Sequence, residues 1–311
     1  MKSLKVVFDN RTELIHGCIP LNGYRRLKDD EIAEFKSEDT ISFNNYEVHF
    51  KGEFYIDYTL KFNNCKVIFD GKIECEKDIK FNNCEIIFGE VPSTMYQNDV
   101  NHCWYIRQYF DKKISVEFIE CSIYQEDFNA KEQKIFPNIE LYDGDISFIN
   151  CKIENVVELV SIRDSSLVYI DGCEFNRCKG TLLNNGEVNP DGEIIIKNSM
   201  FREIKFIEKT NLFRIAFFSC KEKIIYLNGS YNSISNCIFE NCYEPIITTS
   251  DDGYTIIENC RFNSCICEDG EGRNPLVETY GDVDIIDCEF DDEDNDINKK
   301  EGELAITKLD L

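Results

Sequence analysis

The chain has 311 residues, 42% of them hydrophobic, and a formal charge of −25 at pH 7. That length can bury a long core, while the charge argues against duplex DNA, RNA or an anionic membrane as a direct ligand, because phosphate contact runs through Lys and Arg. No stretch approaches the roughly 18 apolar residues of a spanning helix, and residues 1–8 read as too short an apolar run for a secretory leader, so the 16 cysteines read as reduced thiols in the cytoplasm.

Residues 1–40 stand outside the pattern that follows. Within them Leu27-Lys28-Asp29-Asp30-Glu31-Ile32-Ala33-Glu34-Phe35 predicts a short amphipathic helix with Asp29 or Asp30 near its cap. The segment is assigned as an N-terminal cap, because a stack of repeats needs its open end covered.

From Ile41 the chain repeats itself. Phe43-Asn44-Asn45-Tyr46-Glu47-Val48 returns as Phe62-Asn63-Asn64-Cys65-Lys66-Val67 and again as Phe81-Asn82-Asn83-Cys84-Glu85-Ile86, each time 19 residues on. A period near 20 with apolar residues at alternate positions is the mark of a solenoid. One frame then runs from residue 41 to 290. Its anchors are Tyr46, Cys65, Cys84, Cys121, Cys151, Cys173, Ser199, Cys237, Cys260 and Cys288. Three residues before each anchor stands Phe or Ile, and two residues after it stands Val, Ile or Phe. The residue just before the anchor is Asn in seven of them. Two long gaps, around Cys103 and around Ile215-Ala216-Phe217-Phe218, are close to twice 19 residues and predict a hidden coil each. The expected total is about 10–12 coils.

Each column has a physical reason. Strand side chains alternate, so positions −5 and −3 point inward. Asn at −1 suits a corner, because it tolerates a left-handed backbone. Positions 0 and +2 then point inward on the next face. Like residues stack at about 4.8 Å, and a column of buried Cys is a small apolar filler. From Cys151 onward the coils lengthen. Each gains a further strand and a small residue at −7 (Gly144, Ser166, Gly192, Ser230, Gly253, Gly281). Residues 291–311 form an acidic closing segment.

Asp171-Gly172-Cys173-Glu174-Phe175-Asn176, Asn236-Cys237-Ile238-Phe239-Glu240-Asn241 and Asn259-Cys260-Arg261-Phe262-Asn263 resemble the parallel β-helix repeat of the pectin-lyase-like superfamily. The resemblance implies an all-β, right-handed, single-stranded parallel β-helix. It does not imply one activity, because that superfamily holds lyases, polygalacturonases, epimerases, tailspikes, adhesins and non-catalytic binding modules.

The enzymes among these use Asp carboxylates on a long face, often with Ca²⁺. The matching feature here is a turn column at −9 and −8: Asp143, Asp164, Asp191, Asp251 and Asp252, with Arg163 beside it. Carboxylates on adjacent coils could pair for acid/base work or hold Ca²⁺. Asp is also simply a turn residue. An Asp pair with a following Gly-His-Gly and Arg-x-Lys is missing, and the three histidines, His16, His49 and His102, are scattered.

The Cys pairs at 0 and +5, such as Cys173/Cys178 and Cys237/Cys242, have four residues between them. Zinc sites favour two to four with clustered ligands, and stacked core thiols account for them better. Asp292 to Glu303 echoes a calcium loop but has Ile297 at the sixth place, where Gly is required. No metal or other cofactor is expected on these grounds, Ca²⁺ on the Asp column excepted.

The sequence therefore reads first as a non-catalytic acidic scaffold that recognises another macromolecule, a protein, through a flat face or the loops at 186–193, 250–254 and 267–281. The alternatives are a carbohydrate-active lyase, hydrolase or epimerase using the Asp column, and an acidic mimic of nucleic acid. Uncapped edge strands would also let copies of the chain pair.

Overall fold

The computed structural model describes residues 4–9, 25–89, 104–107, 114–125, 139–142, 144–156, 159–162, 167–180, 182–185, 192–204, 224–227, 231–242, 245–250, 253–265, 276–290, 297–299 and 304–307. Strand after strand returns to the same face, and the result is a parallel β-helix. A 12-stranded sheet forms one face, and a 20-stranded sheet bends round to form the other two: a first outer face just after the anchors, as in Ser122–Gln125 and Lys152–Glu154, and a third face, as in Ile139–Tyr142 and Ile225–Leu227.

The 12-stranded sheet carries the −3 column. Phe43, Phe62, Phe81, Phe118, Phe148, Ile170, Ile196, Ile234, Ile257, Ile285 and Ile306 are successive Cα partners in one unbroken line. All of its strands run parallel except Lys36–Ser37, which folds back antiparallel on Thr40–Asn44. Eleven parallel strands mean eleven turns among the described residues, inside the expected range.

The two hidden coils are corrected by this register. Ile79–Asn82 pairs directly with Ile114–Ile119, and the Ser122 N–H donates to the Cys84 carbonyl at 2.9 Å. Glu193–Lys197 likewise pairs directly with Tyr231–Ser235. The long stretches are insertions within single turns; their length matches two periods, but no extra strand enters the 12-stranded sheet. Trp104–Arg107 is the third-face strand of its turn, between Ile73 and Ile139. Cys103 and residues 215–218 lie outside the described residues.

The corners follow from backbone sterics. Every residue at −1 (Asn45, Asn64, Asn83, Glu120, Asn150, Gly172, Asn198, Asn236, Asn259 and Asp287) has φ between 49° and 65°. L-residues resist this region, and Asn and Gly enter it most readily. Corner side chains also bond from turn to turn: Asn83 Nδ2 donates to Asn64 Oδ1 at 2.8 Å, and one residue earlier, at −2, Asn82 Nδ2 donates to Asn63 Oδ1 at 2.9 Å.

A second corner escaped the sequence frame. Asn155, Arg177, Glu203, Asn241 and Ser264, all at +4, have φ between 51° and 53°. Each is followed by an inward residue: Val156, Cys178, Ile204 and Cys242 are buried, and Cys265 is half-buried. The +5 cysteines are thus a second column behind a second corner, not partners of the first. Early turns lack this corner. There one long strand, such as Tyr46–Ile56 or Lys66–Cys75, spans both faces.

The core keeps a constant cross-section by exchanging sizes. The first five turns place Phe at −3 and Val or Ile at +2; the next five place Ile at −3 and Phe at +2. Both aromatic runs stack, with Phe81, Phe118 and Phe148 4.9 Å apart and Phe201, Phe239 and Phe262 4.9 and 4.8 Å apart. Filling one core position while emptying its neighbour conserves volume, which packed interiors tolerate best.

Eleven of the cysteines in the described residues are free thiols and, Cys265 apart, buried. Their Sγ atoms donate to main-chain carbonyls, as Cys151 does to Phe118 O at 3.3 Å. Ser199 takes one place in the first column; its hydroxyl donates to Lys197 O at 2.7 Å and accepts the Cys173 N–H at 3.1 Å. Burial pushes the Cys178 thiol up to about 12, and hydrogen bonding to Cys151 brings Cys121 up to about 12. The reactive form is the thiolate. Native protein held at pH 8 with iodoacetamide should therefore leave Cys121 and Cys178 unlabelled until denaturant is added; peptide mapping that finds either modified in native protein would contradict the packing.

At one end, Leu4–Asp9 lies parallel to Tyr46–Ile56, with Phe8 opposite Phe50. The expected helix is shorter than drawn, Asp29–Ile32, with Lys28 at the N-cap; its N–H donates to the Glu31 carboxylate at 3.0 Å. Ile32 and Phe35 bury against the first turn, Phe35 4.6 Å from Phe43. At the other end, Ile297–Lys299 and Leu304–Thr307 add one further strand to each sheet.

Candidate functional site

Asp143, Asp164, Asp191, Asp251 and Asp252, with Arg163, all lie outside the described residues. The described strands that flank these positions in the chain, such as Ile247–Thr249 and Tyr254–Glu258, lie on the third face and in the 12-stranded sheet, with a corner between them. This corner is tied together between turns. The Ser250 N–H donates to Leu227 O at 2.9 Å, and the Thr249 hydroxyl accepts the N–H groups of Tyr280 at 3.1 Å and Gly281 at 3.4 Å.

Beside that corner the 12-stranded sheet presents aromatics that the sequence frame ignored. Tyr231, Tyr254 and Asp282 follow one another in register at position −6. Tyr231 is 41% exposed, and its ring lies 6.3 Å from that of Tyr254. The Tyr254 hydroxyl donates to the Asp284 carboxylate, a hydrogen bond that pushes the phenol up to about 12. Farther along, Tyr169 donates to Asp171 at 3.1 Å, Asn198 donates to the same carboxylate at 2.8 Å, and the Lys197 ammonium stands 5.7 Å from the Tyr169 ring centre. The signal for these residues was the outward half of the alternation, at −6 and −4, which the inward columns overshadow.

The first outer face of the 20-stranded sheet is a charge ladder. Lys5–Glu47 at 2.8 Å, Lys66–Glu85 at 3.8 Å, Arg202–Glu240 at 2.8 Å and Arg261–Glu289 at 2.6 Å each link one turn to the next. Hydrogen bonding to Lys5 holds the Glu47 carboxyl below its usual range, and Arg261 does the same for Glu289. Such carboxylates stay ionised and accept hydrogen bonds; a general acid needs the opposite shift.

The third face is polar yet buried near the same corner. Thr248 and Glu278, partners in register, are 0% and 5% exposed. The hydroxyls of Thr248 and Thr279 are buried without a hydrogen-bond partner. Among the described residues no group of three or more His, Cys, Asp or Glu side chains is placed to hold a metal ion. His49 lies 3.6 Å from Asp70; His16 and His102 lie outside the described residues. So does most of the acidic stretch with the calcium-loop echo.

Residues 137–292 match the family model described as a right handed beta helix region. Among curated proteins none matches the chain. Of solved structures, the chain is similar to a double mutant of the periplasmic alginate epimerase AlgG, at 9% identity and a TM-score of 0.25, over 98% of this chain and 85% of that one. It is also similar to ORF18 of Geobacillus virus E2, at 10% identity and a TM-score of 0.24, over 90% of this chain and 55% of that one.

Proposed function

We propose that this chain, which belongs to the right-handed β-helix family, works as a non-catalytic scaffold that docks a protein on the outer face of its 12-stranded sheet and the Asp-rich turn edge beside it. The observation that carries this reading is what the described carboxylates do. Glu47, Glu85, Glu117, Glu240 and Glu289 are each engaged by a Lys or Arg from another turn, so they hold the surface rather than stand ready to move protons. A continuous ladder of parallel strands with an exposed Tyr231 is also a surface on which a partner can lie. The buried thiol columns suit a reducing compartment, which supports a cytoplasmic location.

The test is the double variant Asp251→Asn with Asp252→Asn, compared with wild type in pull-downs at low and high salt and in assays on acidic polysaccharides with and without Ca²⁺. A partner bound by wild type and lost by the variant, with no turnover by either, is the expected result. Loss of that partner in high salt for wild type would favour charge-driven docking or nucleic-acid mimicry. Polysaccharide turnover abolished in the variant would replace the scaffold reading with the second one, a lyase, hydrolase or epimerase. The Tyr231–Tyr254 ring pair, with the Tyr254 hydroxyl donating to Asp284, favours that alternative, since aromatic rings beside carboxylates are what a sugar ring packs on.

A further inference from the structure

The second thiol column contains one pair of neighbouring cysteines, and that pair reaches the surface. In order of turns, the +5 positions hold Val156, Cys178, Ile204, Cys242 and Cys265. Cys178 therefore stacks between Val156 and Ile204 and has no thiol beside it in the column. Cys242 and Cys265 are the two that meet. The main chain fixes their register. Ile238–Glu240 pairs in parallel with Arg261–Asn263, and the Asn241 N–H donates to Asn263 O at 3.1 Å. Asn241 and Ser264 then turn the same left-handed corner, with φ of 53° and 51°, so both cysteines enter the interior one turn apart. Hydrogen-bonded turns lie about 4.8 Å apart, inside the Cα separation of roughly 4.4–6.8 Å that a disulfide spans. The two thiols are already hydrogen-bonded to each other.

Access separates the two members. Cys242 is 0% exposed, and its Sγ donates to Phe201 O at 3.5 Å. Burial, with the bond to Cys265, holds its thiol well above the ordinary range, so it stays protonated and out of reach of a reagent in solution. Cys265 is half-buried, and its Sγ bonds the Asn263 carbonyl at 3.5 Å. An accessible thiol with a second thiol stacked directly behind it is the arrangement of an oxidation-sensitive pair, one member meeting the oxidant and the other resolving it.

We propose that Cys265 and Cys242 form a peroxide-sensitive dithiol that closes reversibly to a disulfide between neighbouring turns. The Cys265 sulfur attacks one oxygen of hydrogen peroxide. The O–O bond breaks, Cys265 becomes a sulfenic acid, and the departing hydroxide takes the thiol proton and leaves as water. The Cys242 sulfur then attacks the sulfenic sulfur. An S–S bond forms, the S–O bond breaks, and the hydroxyl leaves with the Cys242 proton as a second water. The two thiols lose two electrons, and the peroxide gains them. A dithiol reductant reverses the change. In a reducing compartment the pair stays open until oxidant rises, which is how intracellular disulfides are used. The link joins residues 23 apart in the chain and ties one turn to the next at the corner between the first outer face and the third.

Full-length protein treated with hydrogen peroxide at neutral pH, blocked with N-ethylmaleimide and digested without reduction gives the test. The expected result is a peptide linked through Cys242 and Cys265, loss of two titratable thiols, recovery of both with dithiothreitol, and a melting temperature several degrees higher in the oxidised form. Cys265→Ser should leave Cys242 reduced and abolish the rise in melting temperature. Cys242→Ala should leave a sulfenic acid on Cys265 that dimedone traps. Circular dichroism checks that each variant is folded, and the wild-type peptide map decides the question if either is not. Cys267 lies outside the described residues and two positions from Cys265, so Cys267→Ser is the control and should still form the link. A bond mapped instead between Cys265 and Cys267, a first bond at Cys260 and Cys288, or Cys265 carried to sulfinic acid while Cys242 stays reduced would each overturn the proposal.

Discussion

Phe118→Ala is expected to lower the unfolding free energy by about 3–5 kcal/mol. Phe118 is 0% exposed and stacks on Phe81 and Phe148 at 4.9 Å on either side. Removing it takes away contacts in two directions and leaves a void that strand spacing prevents from collapsing, because each turn is held to its neighbours by a full ladder of hydrogen bonds. Stability in a stacked fold is close to a sum of turns and their interfaces. The loss should therefore be local at first: equilibrium denaturation should split into two phases, the turns around Phe118 melting before those around Phe239. Phe118→Leu, which keeps most of the volume, should cost under half as much. A single transition with an unchanged midpoint would show that the Phe column contributes little.

Gly281→Ala is expected to cost about 3 kcal/mol, although it adds one methyl group. A Cβ at Gly281 would sit 2.4 Å from the Ser250 carbonyl oxygen and 3.1 Å from that of Gly253. Both are main-chain atoms of the preceding turn, and the Ser250 N–H is itself tied to Leu227. The neighbour cannot swing aside as a side chain would, so the turn must open and release the hydrogen bonds from Tyr280 and Gly281 to Thr249. Thermal unfolding of Gly281→Ala beside wild type measures this, and a midpoint within a degree would refute the close approach. Gly281→Ser should fare no better. The sequence alone suggests the reverse, because Ser166 and Ser230 hold the same column in other turns.

Much of the fold is legible because a β-helix writes its register into a short period. The Phe or Ile at −3 and the Asn at −1 mark an inward strand residue and a left-handed corner, and every one of those corners is found at its residue. The second corner was harder to see. Arg177, Glu203 and Ser264 adopt the same backbone as Asn155 and Asn241, but only the two Asn residues announce it, since the remaining three pay the steric cost under pressure from the stack. The Cys at +5 were visible, yet their meaning was not until Val156 and Ile204 joined them in one buried column. The candidate site was less legible still. Tyr254 lies 23 residues after Tyr231 and Asp284 30 residues after Tyr254, and no local pattern unites them.

By itself the sequence determined that this chain is a stack of parallel strands with a continuous apolar interior, because alternation and period are local properties that each turn repeats. Only the tertiary structure decided how many turns there are. A gap of twice 19 residues is the same length whether it holds an extra turn or an insertion, and only strand pairing tells them apart: Phe81 faces Phe118, and Ile196 faces Ile234. It likewise decided which charges neutralise one another, since Arg202 and Glu240, or Arg261 and Glu289, become neighbours only when one turn is laid on the next.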